Sequence, residues 1–380
     1  MVNIIYRHYK KGDDGQLADL FNRAFQMNGG GIVRTSEEWN WRYVKSPYFE
    51  PEMIQIAEDV EKSKIVGAIH VNLVEDIIFN SKNYLIGDIN DVSCHPDYTR
   101  KGIATNLMEM AMEYMKKRNC DLSILTADYK GYARSNIYLK FGYVDVDREL
   151  MMINFPNLFK LFKDLKKFAS LFPIFFVISY FPRFIYRILL KLNKNFNNIS
   201  YEIVNNKHFE YMNAANKIIK KFYTGITPYN KDKFTWARIN VPAERFKPTY
   251  IIVRKKEEII GGAVITHRNL HSFKYGLKIR IGIVHEVFLD KSQFKNKRDL
   301  HFGYIFLIDK ILKAATIRNI GVLVSNSCYS DIGLIKALKS MAFLKFGSGT
   351  IMMKKLNEEI KSLKPKKPIY LPTYVTFSTP

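Results

Sequence analysis

The sequence predicts an α+β protein with two tandem copies of one fold, each copy a mixed, mostly antiparallel twisted sheet flanked by helices. Its length of 380 residues exceeds the about 100 to 200 residues of a typical domain. Strand-like and helix-like patterns alternate along the first half, as they do in mixed folds. The second half repeats landmarks of the first: Trp41 corresponds to Trp236 and Val92 to Val287, each pair 195 residues apart.

Periodicity places the elements of the first half in order. They are a helix at about 16–27, strands at about 53–59, 64–75 and 84–94, a helix at about 102–118, a strand at 122–127, a short helix at about 133–141 and a strand at 143–153. Two longer matches support the repeat: KIVGAIHV (64–71) resembles EIIGGAVIT (258–266), and YLKFGYVDVDRELMMI (138–153) resembles KSMAFLKFGSGTIMMKK (339–355). We therefore predict domains at 1–153 and 201–380, the second with a C-terminal tail, joined by a helical connector at 154–200.

The connector is basic and rich in Phe. Its start has the spacing of an amphipathic helix, with Lys160 and Lys163 on the polar face. The uncharged run at 168–182 is shorter than the about 20 residues of a spanning helix, and we expect Pro173 and Pro182 to interrupt it. Two interpretations remain open. The segment packs between the domains, which the need to bury domain faces favours, or it anchors at an anionic membrane surface.

The net charge of +23 is concentrated after the first 150 residues. Residues 1–150 have 19 Lys and Arg against 22 Asp and Glu, or −3; residues 151–200 have 8 against 1, or +7; residues 201–380 have 32 against 13, or +19. This asymmetry indicates either an anionic partner, such as a membrane surface, or a Lys-rich solubilising surface. No RNA-binding or zinc-finger signature supports nucleic acid as a partner.

Composition indicates a globular intracellular protein. Apolar residues make up 47% and charged residues 25%, which excludes a disordered chain. Three cysteines without a CxxC pair argue against disulfides and structural zinc, so we expect a reducing compartment and no metal. The N-terminus has no signal-peptide pattern. We therefore expect a cytoplasmic protein, with peripheral membrane contact as the alternative that the connector leaves open.

The most informative segment is VSCHPDYTRKGIA, which joins a predicted strand to a predicted helix. Gly102 lets the backbone approach a ligand, and the helix that follows presents unpaired N–H groups suited to phosphate. The segment resembles the strand end and Arg/Gln-x-x-Gly-x-Gly/Ala loop of the GNAT superfamily, the acyl-CoA-dependent N-acetyltransferases, although Thr99 occupies the first Arg/Gln position. The resemblance implies two GNAT-like domains and, in the first, an acetyl-CoA site at Val92, Ser93, Cys94, Arg100, Lys101, Gly102, Ile103, Ala104 and Thr105.

A second motif lies near the end of the first domain, where Tyr138 to Tyr143 match the family pattern Tyr-x-x-x-Gly-Phe/Tyr. In that family the first Tyr protonates the departing CoA thiolate. The resemblance implies this role for Tyr138, accompanied by Asn136 in the CoA site, and a positioned phenol suits the chemistry. A tyrosine that only packs on the sheet is the alternative.

An amine acceptor also needs a base, because it is mostly ammonium at neutral pH. Asp88 and Asp91 are the candidates on the strand before the loop, with Glu75 and His70 on the preceding strand as runners-up. In a regular strand Asp88 and Asp91 would lie on opposite faces, but the family carries a bulge here, so sequence parity does not decide between them.

The second half lacks both motifs. The loop there reads LDKSQFKNKRDLHFGYIFL, without the glycine pair, and Ala342 and Phe343 replace Gly142 and Tyr143. We expect a degenerate, non-catalytic copy that shapes the acceptor pocket, and a Pro-rich tail that crosses back to the first domain or forms an extended arm.

The resemblance implies an N-acyltransferase that moves an acetyl, or another acyl, group from acyl-CoA directly to an amine. The alternative is a non-catalytic CoA-binding protein whose basic half docks on a membrane surface or nucleic acid.

Overall fold

The computed structural model of the chain describes residues 3–25, 30–272 and 277–370. The first half contains β1 (Ile4–His8), α1 (Asp14–Phe25), β2 (Gly30–Ile32), α2 (Ser36–Arg42), β3 (Ile54–Asp59), β4 (Lys64–Phe79), β5 (Lys82–Cys94), α3 (Ile103–Lys117), β6 (Leu122–Asp128), a π-helical turn (Arg134–Tyr138) and β7 (Val144–Asn154). Each predicted element of this half is present, within a few residues of its expected bounds. The α+β prediction is confirmed.

The second half repeats this order after two connecting helices, α4 (Leu158–Asp164) and α5 (Phe172–Leu192). Its elements are β8 (Ile199–Val204), α6 (His208–Phe222), α7 (Lys231–Phe234), β9 (Thr249–Lys255), β10 (Glu258–Ser272), β11 (Leu277–Leu289), α8 (Lys297–Ile317), β12 (Val322–Cys328), α9 (Ile332–Ser340) and β13 (Leu344–Lys355). The segments matched by sequence become corresponding strands, β4 with β10 and β7 with β13.

Both halves contribute to one continuous sheet, with the strand order β1-β3-β4-β5-β6-β13-β7-β12-β11-β10-β9-β8 and β2 paired to β10. The last strands of the two halves are exchanged. β13 pairs antiparallel with β6, with Ile351 opposite Thr126, whereas β7 pairs antiparallel with β12, with Asn154 opposite Leu323. The predicted domain boundary at residue 153 therefore separates the two halves of the sequence, but the two halves share one sheet.

The exchange is also visible in the hydrophobic cores. Met352, near the C-terminus, is fully buried in the core under α3, among first-half side chains such as Leu107 and Met115. Leu150 and Met152, from the first half, are buried in the core under α8. Each half thus depends on the other for part of its core, and burial of such side chains stabilises a fold by about 1.5–3 kcal/mol each.

The two tryptophans that align in sequence meet where the halves join. Trp41 Nε1 donates to the Trp236 carbonyl oxygen at 3.3 Å, and Trp236 Nε1 donates to the Trp41 carbonyl oxygen at 2.8 Å. Their ring centroids are 5.6 Å apart. The reciprocal bonds indicate a local two-fold relation between the halves, and the surrounding core contains residues from both.

The connector packs on the second half rather than between the halves. Leu158, Leu161 and Phe162 of α4 form a small core with Ile279 and Val322 of β11 and β12. The expected interruption of α5 by proline is wrong. Pro173 lies in the first turn, where its missing N–H is not needed, and Pro182 lies inside a continuous 21-residue helix. By length and composition alone, Phe168–Leu192 is able to cross a membrane.

Part of the C-terminal tail crosses back to the first half, as expected. Asn80, in the turn between β4 and β5, donates through Nδ2 to the Lys364 carbonyl oxygen at 2.9 Å and accepts through Oδ1 from the Lys366 N–H at 2.8 Å. The remainder of the tail, 371–380, lies outside the described residues.

Candidate functional site

The candidate site begins where β5 and β6 separate. These parallel strands pair from Ile86 opposite Leu122 to Ile89 opposite Leu125 and no further, although β5 continues to Cys94. The edge of β5 that faces β6 is therefore free of strand pairing along Val92, Ser93 and Cys94, the residues predicted to line an acyl-CoA site. A gap of this kind leaves backbone N–H and C=O groups free to bind an amide-containing ligand.

A bulge in β5 lies at the start of this gap. The β4–β5 register shifts between Ala68 opposite Ser93 and His70 opposite Asn90, and Asp91 has φ +46°. Because the bulge inserts one extra residue, it reverses the alternation of the strand. Asp88 and Asp91 consequently lie on the same face of the sheet, which the sequence alone does not reveal.

The loop after β5 leads to the N-terminus of α3. Arg100 and Gly102 have φ +62° and +77°, so a glycine suits the second position. Gly102 is the N-cap of α3 and provides no side-chain cap, and the space where its Cβ would lie is open within 4 Å. Ile103 is buried beneath the loop, while Arg100, Lys101 and Thr105 are exposed. The uncapped first turn can therefore receive a phosphate on its backbone N–H groups.

The π-helical turn places Tyr138 on the β6 side of the gap. Tyr138 is 6% exposed and packs edge to face on Tyr143, whose hydroxyl lies 2.6 Å from Ser123 Oγ on β6. Burial raises the pKa of Tyr138 to about 12, which keeps the phenol protonated at neutral pH. Asn136 is exposed, and its Nδ2 donates to the Tyr132 carbonyl oxygen at 3.1 Å.

Asp88 lies on the β5 side of the gap, buried at 1% exposure. Burial raises the pKa of its carboxyl to about 7, and a hydrogen bond from Asn90 Nδ2 at 2.8 Å opposes this shift. A carboxylate that titrates near neutrality suits a general base. His70, on the same face, is stacked on Tyr43 with 4.0 Å between ring centroids, and burial lowers its pKa to about 3. The Glu75 side chain lies outside the described residues.

Asp91 belongs to a buried cluster that sequence reasoning missed. Its carboxylate accepts hydrogen bonds from Arg34 and from the Tyr43 hydroxyl, and Arg42 Nε lies 3.7 Å from it. Burial alone would raise the pKa of Asp91, but the charges of Arg34 and Arg42 lower it below its usual value. We refer to these four residues as the Asp91 cluster. Asp91 is thus a poor proton acceptor, and its contacts indicate a structural role.

The two aspartates should respond differently to removal of the charge. We expect Asp88→Asn to lower turnover and abolish the rise in activity with pH near pH 7, because the base form exists above that pKa.

We expect Asp91→Asn to lower the free energy of unfolding by about 3–5 kcal/mol, because it leaves two buried guanidiniums without their carboxylate. A pH–rate profile and urea unfolding at pH 8 measure both effects.

Stability supplies the control for the Asp88 variant. The native Asp88 carboxyl, with its pKa raised to about 7, holds a proton between about pH 4 and 7 that the unfolded chain has lost, so it makes the native state less stable as pH rises through this window. Asp88→Asn should therefore be at least as stable as the wild type at pH 8. Wild-type turnover in this variant would exclude Asp88 as the base.

The corresponding loop of the second half is closed. The N-cap of α8 is Asn296, whose side chain accepts from the Asp299 N–H at 2.8 Å, so this helix start is capped by its own residue. A Cβ on Gly303 would lie 2.5 Å from the Phe294 ring. The described residues of the second half therefore offer no equivalent of the open, uncapped helix start at Gly102.

Comparison with known proteins identifies chains of similar fold. Residues 5–144 match the family model described as an acetyltransferase (GNAT) domain. No protein of curated function matches the chain. Crystal structures of Saccharomyces cerevisiae N-myristoyltransferase with bound myristoyl-CoA are similar: one has a TM-score of 0.70 at 14% identity, over 93% of this chain and 79% of that chain. A GCN5-related N-acetyltransferase from Anabaena variabilis has a TM-score of 0.57 at 12% identity, over 93% of this chain and 73% of that one.

Proposed function

From the premise that residues 5–144 match a GNAT domain and that the whole chain is similar in fold to N-acyltransferases of known structure, we propose that this protein is an acyl-CoA-dependent N-acyltransferase. It transfers an acetyl group, or a longer acyl group, directly to an amine. The observation that carries the proposal is the gap between β5 and β6, which leads to the uncapped N-terminus of α3 at Gly102. Pantetheine fits the gap as an extra strand-like segment, and the pyrophosphate fits the helix N-terminus.

The side chains on the two sides of the gap have different roles in the reaction: one accepts a proton and the other donates one. Asp88, on the β5 side, takes a proton from the acceptor ammonium, and the neutral amine attacks the thioester carbonyl carbon. The new C–N bond forms as the C–S bond breaks, and the electron pair leaves on the CoA sulfur. Tyr138, on the β6 side, gives its proton to that thiolate, and the second proton that the nitrogen loses as it becomes an amide restores the phenol. One proton therefore leaves in total, through Asp88. No covalent enzyme intermediate is needed, because acceptor and donor meet in one site.

The acceptor is proposed to carry an anionic group beside its amine. Arg268 on β10 is 5% exposed, and its Nη1 has no hydrogen-bond partner among the described residues. Its guanidinium lies 3.3 Å from the Phe246 ring centroid. Burial lowers the pKa of Arg268, and the charges of Arg245, which pairs with Glu38, and of the two arginines of the Asp91 cluster lower it further. A carboxylate or phosphate on the acceptor would give this buried Nη1 a partner and balance the charge of the Arg268 guanidinium.

The activity is tested by thiol release from acetyl-CoA and, in parallel, from myristoyl-CoA, in the presence of amine panels. The panels pair each amino acid with its amide, so that the effect of the carboxylate is isolated. We expect acceptor-dependent thiol release, and faster release with the free carboxylate. CoA binding without any acyl transfer would instead identify a non-catalytic CoA-binding protein.

Tyr138→Phe tests the proton donor. We expect turnover to fall about 10 to 1000-fold with little change in acyl-CoA affinity, because the phenolic proton is needed only as the C–S bond breaks. Tyr143→Phe is the matched control, since it removes a neighbouring buried hydroxyl that bonds to Ser123. Equal losses in the two variants would assign Tyr138 to packing.

A further inference from the structure

The outward face of α5 is apolar, the reverse of a helix on a water-soluble surface. Six large apolar side chains recur every three or four residues along it, and each is between 42% and 72% exposed. They are Ile174, Val177, Phe181, Phe184, Ile188 and Leu192. Soluble monomers rarely expose a continuous apolar strip of this kind, so the strip calls for a partner that covers it.

The inward side of α5 carries two arginines whose contacts fix the orientation of the helix. Arg183, which is 3% exposed, donates through Nη2 to Asn154 Oδ1 at 2.5 Å and to the Phe155 carbonyl oxygen at 2.9 Å. One turn later, Arg187 Nε lies 2.6 Å from Asp309 Oδ1 on α8. If the helix rotated to bury the apolar strip, both contacts would break, and Arg183 would lose the hydrogen bonds that compensate for its burial.

These contacts also show how α5 would meet a bilayer. The helix is long enough to span hydrocarbon. Its middle, however, is bonded to the folded domain: Arg183 contacts the end of β7 and the residue after it, and Arg187 contacts α8. A helix held along its length by a folded domain lies in the plane of the surface that it contacts, with only its outer face immersed.

A basic cleft lies beside this helix. It has a volume of about 530 Å³ and is lined by Lys160 and Lys163 of α4 and by Arg280, together with Phe159, which is 74% exposed. The segment 151–200 has 8 basic residues and one acidic residue. An exposed phenylalanine next to lysines pairs an apolar group with cations, the combination that binds acyl chains and anionic headgroups together.

We propose that the outer face of α5 and the basic cleft beside α4 form a docking surface for an anionic lipid bilayer. The apolar strip enters the boundary between headgroups and acyl chains, and the lysines of the cleft bind lipid phosphates. The proposal does not depend on the acyltransferase activity. In this arrangement the second half contacts the membrane, and the gap between β5 and β6 lies in the other half of the protein.

The test is flotation of the full-length protein with vesicles of phosphatidylcholine alone or with roughly one third phosphatidylglycerol. We expect binding to the anionic vesicles that weakens between about 0.1 M and about 1 M salt, as screening shortens the range of the lysine charges. Phe181→Ser with Phe184→Ser should lower binding about a hundredfold. Lys160→Gln with Lys163→Gln removes two cations of the cleft, so it should lower binding about tenfold and weaken the salt dependence.

Matched controls lie at the far edge of the sheet. Ile5→Ser with Val60→Ser removes exposed apolar side chains there, and Lys10→Glu with Lys11→Glu reverses exposed charges; both should bind like the wild type. Absence of binding to anionic vesicles overturns the proposal. So does a stable dimer that Phe181→Ser with Phe184→Ser converts to monomer, because a second copy would then cover the strip.

Discussion

Gly102→Glu should abolish acyl-CoA binding while leaving the fold intact. The position is the uncapped N-cap of α3, open to solvent where a Cβ would lie. A carboxylate there would repel a pyrophosphate bound at the helix start; two unit charges about 4 Å apart repel by about 4 kcal/mol at the dielectric typical of a protein surface. We expect the affinity for CoA, measured by calorimetry, to fall at least about a hundredfold.

Two controls separate charge from backbone strain. Gly102→Gln adds a side chain of the same size, with the same backbone strain and no charge, so it should lose much less affinity. Gly12→Glu places the same side chain at another open glycine with positive φ, +104°, before α1; it should bind CoA like the wild type. If Gly102→Glu also binds CoA normally, the pyrophosphate lies elsewhere.

The loop at Gly102 was predictable from sequence because its chemistry is local. A strand, a glycine that needs positive φ and the start of a helix are consecutive in the chain, so a short pattern specifies all three. The same reason explains why periodicity located β5 and α3 within two residues of their observed bounds. The short helix α2 was missed, although Thr35 and Glu38 form a capping box that marks its start.

The Asp91 cluster was not predictable, because it depends on distant segments. Arg34 and Tyr43 reach Asp91 from positions 57 and 48 residues earlier. Which of two aspartates is buried alone and which is paired with arginines follows from the bulge and from α2, and neither leaves a clear pattern in β5 itself. The sequence therefore named both candidates for the base, and the electrostatics of the folded chain favour Asp88.

The strand exchange escaped prediction for a different reason. β7 and β13 descend from matching segments with the same Met-Met pair at 151 and 352, so either strand satisfies the pattern of either position in the sheet. The position of each strand is decided by its pairing with strands that are distant in sequence. β7 lies between β12 and β13, and no local signal distinguishes that position from the one beside β6.

The second large effect is expected from separating the halves. Residues 1–157 alone lack β13, so the edge of β6 and the core position of Met352 are left open, and β7 loses both of its neighbours. Exposed strand edges and apolar core favour aggregation. We therefore expect fragment 1–157 and fragment 158–380 each to be insoluble or unfolded when produced alone, as judged by circular dichroism of any soluble fraction.

Co-production of the two fragments should restore one folded complex, because the exchange supplies each fragment with the strand that it lacks. The complex should bind one CoA per pair of fragments, at the Gly102 loop, since the start of α8 is capped by Asn296. Met352→Ala in the second fragment provides the sharper test. It removes a fully buried side chain from the core under α3. Although Met352 lies on the other fragment, we expect the change to lower the free energy of unfolding of the CoA-binding half by about 2–5 kcal/mol in chemical denaturation. A soluble, CoA-binding fragment 1–157, or two CoA molecules per complex, would show that the halves are independent and that the exchanged strands do not couple them.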